Sequence, residues 1–281
     1  MALLEANKRG VVKMVIDMHT HIWPDAMAER TVEKLAQIGG VKAYGNGTLS
    51  SLEETMARDG VDLSVLLPVI TKPEQFEMVN RVASTYNGRK SILSFGGIHP
   101  RNTDIREKVK TIKALGLKGV KIHPDYQGEF IDSIEYQNII KEALGLGLIV
   151  VSHAGRDVGL YETVHCTPAR VARIYEELSL EQNQDNRLVL AHTGGCDQWE
   201  EVLTYLAGKK LYFDISFTAG RIDDGLFVEI VKKHGAERMM FGTDYPWSSA
   251  EETMEWVKGL PLSNREKELI LGGTARGLLG I

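Results

Sequence analysis

The strongest chemical signal in this chain is the triplet His19-Thr20-His21. On an extended strand, residues two apart point to the same side, so both imidazoles can face one ion. Alone the triplet is a weak motif, because many such pairs arise by chance. Two further residues strengthen it. His153 closes the apolar run Leu148-Ile-Val-Val-Ser152, and Asp244 lies in Phe241-Gly-Thr-Asp-Tyr-Pro-Trp247. Three imidazoles and one hard carboxylate, with a position left open, match catalytic zinc or a similar divalent ion. The competing explanation is a set of core histidines. It requires several buried imidazoles to crowd one place, each with its own partner.

Other residues carry more than one reading. Asp17 shares strand parity with His19 and His21. It reads either as a partner that orients a ligand imidazole or as a strand-start carboxylate bonded to nearby backbone. His99, in Gly-Ile-His-Pro100, lines the mouth of the fold or braces a loop. His123 shares parity with Lys121 and reads as a structural histidine bonded to a neighbouring loop, with lining of the pocket as the alternative. His165 sits beside Cys166 in a loop and can touch substrate, and His234 reads as a cation at a helix C-terminus. Loops at strand ends build substrate pockets. Those here carry Trp23, Arg101, Tyr126, Arg156, Phe217, Arg221, Tyr245 and Trp247. Arginines there suit a carboxylate and aromatics a flat or apolar body. Surface salt bridges and loop packing are the plain alternatives. Arg156 leads the set, three positions after His153.

These residues need elements to hold them. Short apolar runs recur at Val15–Met18, Leu63–Val69, Ile92–Ile98, Gly119–Ile122, Leu148–Ser152, Leu188–Ala191, Leu211–Ile215 and Met239–Gly242. Nearly continuous apolar runs suit strands covered on both faces. Helical signals alternate with them. Ser51 with Glu54 reads as a capping box and Gly60 as a helix stop. Thr167 before Pro168 reads as an N-cap with proline at the first helical position. Lys232-Lys233-His234-Gly235 reads as a basic last turn closed by glycine. Alternating strands and helices imply parallel βαβ units, and eight of them favour a closed (β/α)8 TIM barrel in the α/β class. The first strand is followed by no GxGxxG, which weakens a dinucleotide-binding sheet. His19, His21, His99, His123, His153, His192 and Asp244 then all stand at strand ends, on the face where barrels build active sites. Ile22–Asp62 is an insertion after strand 1, with a helix over Ala26–Ile38, a glycine-rich excursion over Gly39–Thr48 and a second helix. Residues 1–10 read as an N-terminal extension to one barrel over 11–281.

The 281 residues are 43% hydrophobic with a net charge of −5, which excludes a disordered chain. The acidic balance argues against nucleic acid or an anionic membrane as partner. No segment approaches the roughly 20 apolar residues of a membrane span. Cys166 and Cys196 show no paired spacing and suit a reducing, cytoplasmic setting. Expected partners are a small-molecule substrate and a second copy of the chain.

Asp17-Met-His-Thr-His21, Gly119-Val-Lys-Ile-His-Pro124, Ser152-His-Ala-Gly155, Ala191-His-Thr-Gly-Gly195 and Phe241-Gly-Thr-Asp-Tyr-Pro246 together resemble the amidohydrolase superfamily. The resemblance is to its amidohydrolase-related (amidohydrolase 2) branch, which holds metal-dependent hydrolases and aminocarboxymuconate-semialdehyde-type decarboxylases. Ile270–Arg276 looks like that branch's closing helix. The resemblance implies His19, His21, His153 and Asp244 as ligands of one divalent metal, zinc first, with manganese or iron as alternatives. It places His192 beside the activated water. His192 then orients the water or stabilises a developing oxyanion, and Asp244 takes its proton. Lys121 stands where binuclear members carry a carboxylated lysine; a second metal is not expected in this branch, which leaves Lys121 as a pocket residue. The implied activity is hydrolysis of an amide, lactone or ester in a small carboxylate-bearing metabolite. Non-oxidative decarboxylation is the alternative, and a catalytically silent metal-binding barrel the third reading.

Overall fold

The structure is a computed structural model that describes residues 14–160, 162–183 and 185–281. The extension expected over residues 1–10 lies outside the described residues. The buried apolar runs form β1 (Ile16–Thr20), β2 (Leu63–Leu66), β3 (Ile92–Ser94), β4 (Gly96–Gly97), β5 (Gly119–Ile122), β6 (Ile149–Ser152), β7 (Leu188–Leu190), β8 (Tyr212–Asp214) and β9 (Met239–Met240). Neighbours pair in parallel, in the orders β1-β2-β3 and β4-β5-β6-β7-β8-β9.

The run Ile92–Ile98 reads as one strand in sequence but is broken at Phe95. Phe95 N still donates to Leu66 O (2.9 Å), so the chain keeps its place beside β2. It then turns so that Gly96 and Gly97 align with Val120 and Lys121 of β5. A Cβ at Gly96 would lie 2.4 Å from Asn80 Oδ1. Asn80 clamps Gly97 in return, accepting from its N–H (3.0 Å) and donating to its carbonyl (2.9 Å). The last strand meets the first through Met18 N donating to Phe241 O (3.0 Å) and a parallel bridge between Thr20 and Tyr245. Counting β3 and β4 as one, eight strand positions follow one another round a (β/α)8 barrel.

Alternate strand positions sort into two apolar layers. Val120, Val150 and Phe213 face the helices, whereas Val65, Phe95, Ile149, Val151, Val189 and Met240 pack with one another. Ala275, Leu278 and Leu279 of the C-terminal helix Thr274–Leu279 join that second layer. They lie near the strand starts, where Lys118 Nζ donates to Leu279 O (2.6 Å). Apolar packing thus fills one end of the barrel and leaves the C-terminal strand ends for polar groups.

The insertion after β1 carries helices Asp25–Gly39 and Leu49–Asp59, stopped by Gly40 (φ 61°) and Gly60 (φ 77°). The second helix begins earlier than the expected capping box. Thr48 holds the extended cap conformation, and its hydroxyl accepts from Ser51 N (3.1 Å). Thr167 caps helix Pro168–Glu177 as expected. Helix Asp224–His234 ends at Gly235, but His234 is no surface cation. It is fully buried, its Nε2 lies 3.0 Å from Leu211 O, and burial pushes it down to about 3. No helix among the described residues is long and apolar enough to cross a membrane.

The loops after β6 and β7 meet in a parallel bridge between Gly155 and Cys196. Gly155 has φ 79°, and a Cβ there would lie 2.1 Å from Cys196 N. Left-handed strain and a backbone clash act together. Gly155→Ala should therefore cost about 3 kcal/mol and lower the melting temperature by several degrees. An unchanged thermal melt would show that the junction yields easily.

Candidate metal centre and active site

His19 and His21 stand at the end of β1, and Asp244 follows β9. His21 Nε2 lies 3.0 Å and His19 Nε2 3.3 Å from the same carboxylate oxygen, Asp244 Oδ1. The opposite ring nitrogens are held. His21 Nδ1 is 2.8 Å from Leu67 O, and a carbonyl can only accept. His19 Nδ1 is 2.9 Å from Asp214 Oδ2. Both imidazoles therefore carry their proton on Nδ1 and turn a bare Nε2 toward Asp244, the arrangement a metal ligand needs. Burial pushes His19 down to about 4, helped by the nearby Lys121 charge. Burial alone would raise Asp244, but the two histidines outweigh it and hold the carboxylate below its usual range.

Asp214 is the residue that sequence reasoning missed. Its burial is outweighed by His19 and by donors from Ser216 and His192 N, so it stays ionised. A signal existed: Leu211-Tyr-Phe-Asp-Ile215 places one carboxylate in a strand covered on both sides, where it must have a partner. Asp17 does not play that part. Its carboxylate accepts from His19 N (3.0 Å), Thr243 N (3.0 Å) and Thr243 Oγ1 (2.6 Å), so it ties β1 to the loop carrying Asp244. Burial raises it to about 7 against those bonds.

His153 and His192 follow β6 and β7. His192 Nδ1 faces the Ser216 carbonyl at 3.0 Å, which puts its proton there. His192 Nε2 then accepts from His153 Nδ1 at 3.0 Å. His153 Nε2 is thereby left bare, and it is buried without a hydrogen-bond partner. Its neighbour Asp125 Oδ2, equally unpartnered, stands 3.8 Å away, too far to bond. Burial lowers both histidines, so both are neutral. His153 is not gathered with His19, His21 and Asp244. It groups with His123 and Asp157, and its ring stacks on His123 at 4.1 Å. His192 and Asp244 hold left-handed backbone (φ 59° and 60°), strain of the kind that collects at working sites.

A cavity of about 300 Å³ opens above these groups. His19, His21, Lys121, His153, His192 and Asp244 line it, as do Trp23, Tyr126, Arg156, Phe217 and Trp247. Arg156 is exposed on its rim. Lys121 is buried with Nζ 3.2 Å from His19 Nε2, and burial lowers it to about 8. The remaining sequence candidates lie outside the cavity lining. His99 Nδ1 accepts from Arg101 N (3.1 Å) and braces its own loop. His165 is held on Asp125 Oδ1 at 3.0 Å. Arg221 pairs with Asp197 at 2.9 Å, and Tyr245 is buried in the core. His123 accepts from Tyr126 N (3.3 Å) as a loop brace, yet it also reaches the cavity.

The donor set fits a divalent cation. His19 and His21 turn bare Nε2 atoms toward the ionised Asp244 carboxylate at 3.3 and 3.0 Å, acceptors that a cation between them would join, and the bare, buried Nε2 of His153 stands in the neighbouring group with His123 and Asp157. A metal with His/Asp ligands takes this kind of set. Because Asp214 fixes the His19 tautomer, Asp214→Ala should weaken metal affinity roughly 10- to 100-fold. Competition with a chelator of known affinity reads this directly, and equal affinity would remove Asp214 from the site.

The sequence model of the family described as amidohydrolase matches residues 16–281. The chain belongs to the amidohydrolase family. No curated protein matches it. Among solved structures, this amidohydrolase is similar to an uncharacterized TIM-barrel protein of Bordetella bronchiseptica (TM-score 0.76, 18% identity, covering 95% of this chain and 98% of that one). It is also similar to a dihydroxybenzoic acid decarboxylase of a Polaromonas species with bound manganese (TM-score 0.67, 14% identity, 95% and 97% covered). A third is a probable 2-pyrone-4,6-dicarboxylic acid hydrolase of Acinetobacter baumannii (TM-score 0.64, 18% identity, 95% and 99% covered). At these identities the likeness establishes the shared barrel.

Proposed function

We propose that this amidohydrolase is a metal-dependent hydrolase acting on an amide, lactone or ester bond of a small carboxylate-bearing compound. His19, His21 and Asp244, already gathered, would hold one divalent cation, zinc first and manganese or iron as alternatives, and His153 would have to turn from its group with His123 and Asp157 to complete the set. When bound, such a cation polarises a carbonyl and activates water. The observation that carries the reading is the pair of bare Nε2 atoms, of His19 and His21, turned toward an ionised Asp244. That carboxylate can take a proton from attacking water and return it to the leaving group. His192 is neutral and its Nε2 accepts from His153 Nδ1, so it would orient the water or hold a proton beside it once His153 turns to the cation and frees that lone pair. Arg156 has no ion-pair partner among the described residues and is free to bind the substrate's carboxylate. Lys121, buried beside His19, supplies a donor to a developing oxyanion, while Trp23, Tyr126 and Trp247 shape the walls.

Decarboxylation has its own support. Apolar walls from Trp23, Val69, Phe217 and Trp247 disfavour a charged carboxylate relative to neutral carbon dioxide. One similar structure is a decarboxylase and another a probable hydrolase. Incubation of the metal-loaded protein with lactones, amides and aromatic acids in 18O-water under anaerobic conditions separates the two. Label in a product carboxylate establishes hydrolysis. Carbon dioxide release with no label in the organic product replaces it with decarboxylation.

A further inference from the structure

The mouth of the barrel is crossed by chain. Eight strand positions put β1 and β6 four places apart in either direction, on opposite sides. The helix that follows β1 nevertheless ends against the loop that follows β6. A Cβ at Gly39 would lie 3.0 Å from Val158 Cγ2, and one at Gly159 would lie 3.5 Å from Ile38 Cγ2. Glycine at position 39 permits this close approach, and a Cβ at 159 would make ordinary contact with Ile38. Gly40, at φ 61°, then turns the chain back, so that Val41 also faces the cavity.

The side chains that this bridge presents to the cavity are hydrocarbon: Leu35, Ile38 and Val41 from one side, Val158 from the other. Ile38 is 50% exposed although it lines the cavity, so a ligand there would cover apolar surface now in water. The charged and polar lining belongs to the strand ends below and to the Arg156–Asp157 loop at the side. A ligand with its acyl end among the strand-end groups and its carboxylate on Arg156 at the side must therefore place its body under this roof.

We propose that Ile38 and Val158 are specificity-determining residues that select a substrate with a hydrocarbon body. The site then takes a monocarboxylic compound, aliphatic or aromatic, and rejects one with a second charge at its far end. This rests on the cavity being the substrate site proposed above.

Binding of straight-chain monocarboxylates from butanoate to octanoate, and of octanedioate, tests it on the metal-loaded protein. Trp23 and Trp247 line the cavity, so quenching of their fluorescence reports occupancy. Affinity should tighten about fourfold per added methylene, and octanedioate should bind roughly tenfold or more weakly than octanoate. Ile38→Ser and Val158→Ser should each remove most of the gain from butanoate to octanoate while leaving butanoate unchanged. Ile134→Ser, at an exposed isoleucine outside the cavity, should change nothing. A flat chain-length series, or octanedioate binding as tightly as octanoate, overturns the proposal. A chain-length gain without turnover of any lactone, amide or acid leaves it standing and defeats the enzymatic reading instead. Turnover confined to polar dicarboxylates does the reverse.

Discussion

Asp244→Asn is expected to lower kcat roughly a thousandfold while a substantial share of the metal remains bound. The asymmetry follows from geometry. Asp244 Oδ1 lies beside both His19 Nε2 and His21 Nε2, so an oxygen at that place still offers a cation a donor next to the two imidazoles after the change. An amide, however, cannot take a proton at neutral pH. The wild-type carboxylate is suited to that task because the two histidines keep it ionised despite its burial. The backbone at Asp244 is left-handed, a conformation asparagine tolerates well, so the substitution adds little strain of its own. Metal content and turnover measured on one preparation give the answer. Retained metal with lost turnover assigns Asp244 the proton, whereas unchanged turnover removes it from the mechanism.

The second large effect concerns His19 and His21. Replacing both by alanine should abolish stoichiometric metal binding, because it removes two of the bare Nε2 atoms and leaves Asp244 alone of the three gathered donors. It should also erase metal-dependent stabilisation. A ligand present at about 1,000 times its dissociation constant stabilises the folded state by about 4 kcal/mol. For wild type, zinc or manganese should therefore raise the melting temperature well above that of chelator-treated protein. For His19→Ala/His21→Ala the two melts should coincide. A persistent metal-dependent shift in that double variant would place the cation elsewhere.

Much of this architecture can be read from residues alone, for identifiable reasons. Strands such as Ile149–Ser152 are continuous apolar runs because both faces are covered, and their ends are marked by the polar residues that follow. That is why His19, His21, His153, His192 and Asp244 could be assigned to one face before any coordinates. Tertiary contacts are the part that stays hidden. Phe95 interrupts an apolar run that looks unbroken, because the interruption depends on Asn80, 15 residues earlier in the chain. His234 has the spacing of a helix-end cation but is sealed against Leu211, which burial decides and local pattern does not. Asp17 has the right parity to support an imidazole, yet Thr243 claims its carboxylate. Asp214, one strand before Asp244, takes the supporting role. The crossing of the mouth by Ile38 and Gly39 has no local signature at all, since it joins segments about 120 residues apart.

The account turns on one cation held by residues from β1, β6 and β9. Anomalous X-ray scattering from crystals of the metal-loaded protein tests this most directly. The expected result is a single peak about 2.0–2.2 Å from His19 Nε2, His21 Nε2, His153 Nε2 and an Asp244 oxygen. A peak between His123 and Asp157 instead, or no peak at the mouth of metal-treated protein, would contradict it.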